Sequence, residues 1–255
     1  MRRLARNELA VFALAVQFLT RFPVPAGNAY TPARLAAAPR YYPLVGALVG
    51  AACSAVFFLA AGALTPPVAV LLAIATGLLL TGAFHEDGLA DTFDGLGASE
   101  RARALEVMRD SRIGTFGALA LGIVLATKVA ALLGLPPTHA VAALIVAHGV
   151  SRLSAVLVIA TSRYVRDDGT GKPTADGIGV GGLAIAIVTG GLLLAGLALQ
   201  LGAAAAFYAA GGALAGHVAM RALFERRLGG YTGDTLGAVQ QFTELGVYLG
   251  LLLWQ

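Results

Sequence analysis

Seven long apolar stretches, joined by connectors that alternate between uncharged and charge-rich, constrain this chain more than any other feature. They cover about residues 41–64, 66–84, 113–135, 139–160, 178–201, 203–224 and 236–254. Each is close to the roughly 20 residues an α-helix needs to cross a bilayer. The expected fold is an all-α integral membrane protein, a polytopic helical bundle with about 6–7 transmembrane helices. Composition agrees. Of 255 residues, 58% are hydrophobic and 13% are charged, about half the charged share of a soluble domain. Too few polar side chains exist to cover a water-soluble globule, and a disordered chain needs the opposite balance. The 33 glycines suit helices that approach closely through small residues.

The connectors predict an orientation. Those near residues 65, 137 and 202 are short and uncharged. The others run from the N-terminus to residue 40 and over 85–112, 161–177 and 225–235, and they hold 15 of the 18 Lys and Arg. Positive-inside bias places these segments in the cytoplasm, with the N-terminus in and the protein in the cytoplasmic (inner) membrane. The same bias explains the net charge of +4, so no nucleic acid is expected as a partner; the lipid bilayer is. Residues 8–22 are too short to span with assurance and read as an N-terminal interfacial helix, retained rather than cleaved as a signal peptide. Cys53 is the single cysteine; it excludes an intrachain disulfide and reads as a packing residue. No polar segment exceeds about 40 residues, too short for a core of its own. Residues 1–255 are therefore one domain, with chemistry expected at a cytoplasmic active-site loop over about 85–112.

That loop begins His85-Glu86-Asp87-Gly88-Leu89-Ala90-Asp91-Thr92-Phe93-Asp94-Gly95. Asp87, Asp91 and Asp94 are spaced i, i+4, i+7, so on a helix they share one face. Their repulsion calls for a cation, and hard oxygen ligands suit Mg²⁺ held with substrate phosphates. The plainer reading is a solvated acidic face, or charges favoured by a helix dipole. Three carboxylates directly after an apolar span weigh toward function. Arg109-Asp110-Ser111-Arg112 follows. Arginine forks match phosphate oxygens, and Asp110 is a fourth candidate metal ligand. His85 is a candidate proton acceptor or a helix-end anchor. Thr232, Gly233 and Asp234 precede the last span, as helix cap or substrate contact. Lys128, Arg152 and Glu244 lie within spans, as ion pairs or phosphate contacts. His148 and His217 read as satisfied interior histidines.

Three other patterns fit less well. Asp91-x-x-Asp94-Gly95-x-x-Ala98 matches half of a CDP-alcohol phosphotransferase motif, but Ser99 replaces its arginine and the second half is missing. A cation-coupled transporter would carry its ion site near the midplane, often in repeated halves; here the aspartates sit at the edge and no repeat is evident. Gly169-Thr170-Gly171-Lys172-Pro173-Thr174 fails as a phosphate loop because Pro173 and Arg166 occupy required positions.

The motifs together closely resemble the cobalamin synthase family, the adenosylcobinamide-GDP ribazoletransferases. The matching residues are Phe84-His85-x-Asp87-Gly88-Leu89-Ala90-Asp91-Thr92-x-Asp94-Gly95 and Met108-Arg109-Asp110-Ser111-Arg112-x-Gly114-Thr115. Phe18-Leu19-Thr20-Arg21-x-Pro23-x-Pro25, Pro43-Leu44-Val45-Gly46, Ser151-Arg152 and Gly230-x-Thr232-Gly233-Asp234-Thr235-Leu236-Gly237-Ala238 extend the match. Glu86 falls in a variable slot and receives no role. The resemblance implies a membrane transferase that joins adenosylcobinamide-GDP to α-ribazole or its 5′-phosphate, giving adenosylcobalamin or its 5′-phosphate and GMP, with Mg²⁺ required. The expected catalytic residues are Asp87, Asp91, Asp94, His85 and Arg109. The expected metal ligands are Asp87, Asp91, Asp94 and Asp110. Arg112, Arg21, Thr20, Arg152, Lys128, Thr232, Gly233, Asp234 and Glu244 are the expected substrate contacts. The ribazole 5′-hydroxyl is the expected nucleophile, and a homo-oligomer is left open.

Overall fold

The computed structural model describes residues 2–24, 30–167, 169, 172 and 178–255, with side chains from residue 6 onward. Pro25, residues 170, 171, 173 and 174, and Gly177 lie outside the described residues. The described chain is helical: α1 Arg2–Leu19, α2 Pro32–Ala37, α3 Tyr42–Ala61, α4 Pro66–Thr81, α5 Phe84–Leu96, α6 Arg101–Val107, α7 Thr115–Gly134, α8 Pro137–Thr161, α9 Val180–Leu201, α10 Ala203–Leu228 and α11 Gly233–Trp254. Six helical segments are long and apolar enough to cross a membrane: Pro32–Ala61 (α2 and α3 with the turn between them), α7, α8, α9, α10 and α11. The pair α4–α5 makes a seventh, bent by 88° at its break.

The breaks follow from local chemistry. Proline opens α2, α4 and α8 in the first turn, where its missing N–H costs nothing. Gly202 (φ 99) turns α9 into α10 without a side-chain penalty. Thr232 and Thr235 cap α11 reciprocally, side chain to backbone.

The span expected over 66–84 ends at Thr81, and the segment expected as a loop from 85 is not a loop. It forms α5 and the shorter α6. Gly82 (φ 66) and Ala83 (φ 55) both adopt left-handed backbone. For Ala83 this is an uncommon and strained conformation. The two residues turn the chain by 88° between the apolar α4 and the charged α5. A site needing four carboxyl groups on the helix itself, including Glu86, could not continue a span through hydrocarbon.

The spans that carry Arg152 and Glu244, α8 and α11, are the most buried ones. In the most apolar window of each helix, α8 is 83% buried and α11 61%, against 17% for α9 and 22% for α10. Polar side chains of α8 and α11 therefore face helices rather than lipid. Glycines allow the close packing this needs. A Cβ on Gly50 of α3 would stand 2.5 Å from the Leu144 carbonyl oxygen of α8. Gly212 and Gly216 of α10 lie against the backbone of α11 at Gly246 and Phe242 in the same way. Cys53 is fully buried and free, as its apolar setting predicts.

α1 is not among the candidate spans. It buries Leu14, Ala15 and Leu19 in a cluster with Tyr42 and Val45 of α3. Glu8 holds it there through Arg40 at 3.2 Å and the Tyr41 hydroxyl at 2.8 Å. An amphipathic helix docked on the start of the first span agrees with the interfacial reading.

Candidate active site

Two glycines set the site. α5 crosses α11 at Gly88 and Gly237. A Cβ on Gly88 would lie 2.7 Å from the Asp234 carbonyl oxygen, and one on Gly237 would lie 2.9 Å from that of His85. The acidic face of α5 is thereby set on the first turn of α11. Asp87 is exposed, and Asp91 and Asp234 are half-buried. Burial, together with repulsion from Asp234, Asp87 and Asp94, pushes the Asp91 carboxyl up to about 7, although Arg166 acts the other way.

The expected carboxylate set is only partly assembled. Asp94 accepts hydrogen bonds from the backbone N–H of Gly114 (2.7 Å) and Gly117 (2.8 Å). It caps the amino end of α7, and both glycines leave room for its carboxylate. Asp110 is taken by Arg112, at 2.6 and 3.0 Å, and this pair holds its carboxyl down at about 2. Among the described residues, no group of three or more His, Cys, Asp or Glu is placed to hold a metal ion. The expected four-aspartate cage is therefore absent: helix capping and a local arginine pair use two of its members. Arg109 and Arg112 are exposed on the α6–α7 connector. Arg101 instead bonds the Leu228 carbonyl (2.6 Å), and Arg227 the Ala98 carbonyl, tying this connector region to α10.

A pocket of about 510 Å³ opens beside α5, lined in part by Gln17, Thr20, Arg21, Glu86, Asp87 and Ile113. The expected pair Thr20–Arg21 thus faces Asp87 across one cavity. Arg21 is held by its N–H on the Leu80 carbonyl at 2.7 Å, and its guanidinium lies against Gly82. Thr20 closes the end of α1 by bonding the Val16 carbonyl at 2.7 Å.

Lys128, Arg152 and Glu244 belong to a buried network inside the bundle. Lys128 pairs with Glu244 at 2.8 Å and donates to Gln241 at 2.6 Å. Gln240 bridges Glu244 and Ser151, both at 2.8 Å. Arg152 bonds the His148 carbonyl at 2.9 Å, and His217 meets Ser154 at 2.7 Å. The structure pairs Lys128 with Glu244, with side chains 4% and 5% exposed, so each charge is met inside the bundle. The two histidines are satisfied as expected. Gln241 reaches Glu86 at 2.8 Å, joining the network to α5. His85 is buried at the same junction, and burial followed by the nearby Arg152 charge keeps its imidazole neutral.

Two residues were missed by sequence reasoning. Glu86 connects α5 to the interior network; its i−1 position beside Asp87 gave no sign of facing inward. Arg166 pairs with Asp234 at 2.8 Å, and its side chain is 8% exposed. A parallel β-bridge brings it there: Tyr231 N–H donates to Arg163 at 2.8 Å, and Val165 N–H to Tyr231 at 3.0 Å. That pairing joins residues some 65 positions apart and has no local sequence signal.

Residues 11–252 match the family model described as cobalamin-5-phosphate synthase. The chain is 48% identical over 256 residues to the adenosylcobinamide-GDP ribazoletransferase of Leptothrix cholodnii, covering 96% of each chain. It is 43% identical over 252 residues to the protein of that name from Shewanella frigidimarina, covering 96% of this chain and 95% of the other. With that of Shewanella oneidensis it shares 44% identity over 257 residues, covering 97% and 95%. No solved structure matches the chain.

Proposed function

The chain belongs to the cobalamin-5-phosphate synthase family, and from that premise we propose that it joins adenosylcobinamide-GDP to a ribazole and releases GMP. The observation that carries this reading is the seating of Asp87 and Asp91 on α5 against Asp234 on α11, beside a 510 Å³ pocket that also holds Thr20 and Arg21. Two carboxylates, Glu86 and Asp87, and one arginine, Arg21, around one open cavity suit a pyrophosphate substrate held with a cation.

Asp87 and Asp91 are the carboxylates that fit Mg²⁺. Asp87, Asp94 and Asp234 all act on Asp91 as like charges, and two carboxylates with substrate phosphates are a usual set for this ion. When bound, Mg²⁺ would offset charge on the pyrophosphate and on the departing GMP. Asp94 fixes the start of α7 rather than joining them. Asp234 and Arg166 tie the segment after α8 to the first turn of α11. Arg21, Arg109 and Arg112 supply positive charge for phosphate oxygens.

A ribose hydroxyl of the ribazole attacks the phosphorus on the cobinamide side. Its oxygen forms the new P–O bond, the bridging P–O bond breaks with its electrons, and GMP leaves. A product bearing a 5-phosphate has that oxygen already esterified, so the attacking group is a different hydroxyl from the 5′ one expected. Asp87 lines the pocket and is exposed, so a carboxylate of the pocket wall is placed to accept the hydroxyl proton, whereas His85 is buried off that wall. We place the pocket on the cytoplasmic side of the inner membrane, following the charge bias of the connectors.

The test is direct. Purified protein in detergent, given Mg²⁺, adenosylcobinamide-GDP and α-ribazole, releases GMP. Asp87→Ala abolishes release while leaving membrane insertion and the thermal transition in place. Full activity in that variant would remove Asp87 from the site, and no GMP from the wild-type protein would remove the reading.

A further inference from the structure

Arg166 presents an unusual arrangement for a buried guanidinium. Its Nη1 lies 2.8 Å from Asp234 Oδ2, yet Nε and Nη2 are buried without any hydrogen-bond partner. Its side chain is more than nine-tenths buried. Buried donors on a charged group cost free energy when left unmade, and native structures rarely leave two on one side chain. The Nε–Nη2 edge is also the fork with which arginine grips two oxygens of a phosphate.

The surroundings say where this edge is spent. The β-bridge at Tyr164 and Tyr231 fixes the segment carrying Arg166 beside the first turn of α11. Asp234 occupies one end of the guanidinium and sets its plane. The backbone thus holds a half-used fork beside the face where the pyrophosphate is proposed to bind.

We propose that Arg166 is a phosphate-binding residue, whose Nε and Nη2 donate to two oxygens of the nucleotide donor's pyrophosphate and keep them as the phosphate of GMP. This rests on the transferase reading. It commits to the donor, not to the 5′-phosphate of a ribazole phosphate and not to a lipid headgroup.

Arg166→Lys separates the fork from the charge, because a lysine keeps an ion pair with Asp234 but cannot donate in parallel. Three quantities are measured in detergent with matched thermal transitions: the KM for adenosylcobinamide-GDP, the inhibition constant of GMP, and the KM for α-ribazole with and without its 5′-phosphate. A rise of roughly tenfold or more in the first two together, with the ribazole constants unchanged, is expected. Arg166→Ala should regain part of its activity when guanidinium ion is added, which a merely structural role would not produce. Equilibrium binding of GMP to wild-type and variant protein gives a readout independent of turnover. It distinguishes failure of this assignment from failure of the transferase reading. Wild-type donor KM and GMP affinity in Arg166→Lys would overturn the proposal. So would a loss confined to ribazole 5′-phosphate, or one that follows the lipid composition of added vesicles.

Discussion

At the scale of single residues, the aspartates of α5 divide by their partners. Asp94 is bound by two backbone N–H groups, whereas Asp91 meets mainly like charge. Asp94→Ala should lower stability by about 1–2 kcal/mol through loss of the α7 cap, while Mg²⁺ affinity changes far less than in Asp87→Ala. Thermal scans and metal titrations of both variants check this; equal loss of metal in the two would return Asp94 to the ligand set. Asp91 gives a pH dependence. Its folded-state value is raised from near 3.8 to about 7, so its ionisation opposes folding. That cost is absent below about pH 4, where both states are protonated, and complete above pH 7. Asp91→Asn should therefore stabilise metal-free protein at pH 8, by about 1–2 kcal/mol after allowing for its half-exposed setting, and leave it unchanged near pH 4. Melting curves in chelator across that range decide it. The aspartate spacing made α5 readable as a site. It did not reveal that Asp94 caps α7, because those bonds depend on how α7 returns to α5.

At the scale of elements, the α5–α11 crossing decides function. The sequence shows glycines in both motifs, but not that Gly88 and Gly237 face each other. Gly88→Ala inserts a methyl 2.7 Å from the Asp234 carbonyl, so α5 and α11 must part by a few tenths of an ångström or more. Misplacement on that scale is costly to catalysis. We expect activity to fall roughly 100-fold with the helical content intact; GMP release and circular dichroism together test this. The 88° bend between α4 and α5 has a similar status. Gly82 hints at a helix end, yet a left-handed Ala83 is imposed by packing and has no signature in the sequence.

At the scale of the whole molecule, the buried pair Lys128–Glu244 joins α7 to α11 in the centre of the bundle. Lys128→Met leaves the Glu244 carboxylate without its cation and should cost about 3–5 kcal/mol. Lys128→Met with Glu244→Gln should regain part of that loss, seen as a recovered melting temperature. The alternating connectors can be tested by thiol labelling in membrane vesicles of known orientation. Cys53 is fully buried and stays silent, so cysteines placed at Ser111 and Thr138 should label from opposite sides. What the sequence determined by itself was the membrane bundle, the approximate spans and the identity of the acidic and arginine motifs, because apolar length, helical periodicity and charge bias are local properties. Only the tertiary structure decided which charges act together. Arg166 with Asp234, Glu86 with Gln241 and Lys128 with Glu244 meet across helices and loops, where burial strengthens the pairs that form and penalises the groups left unmatched.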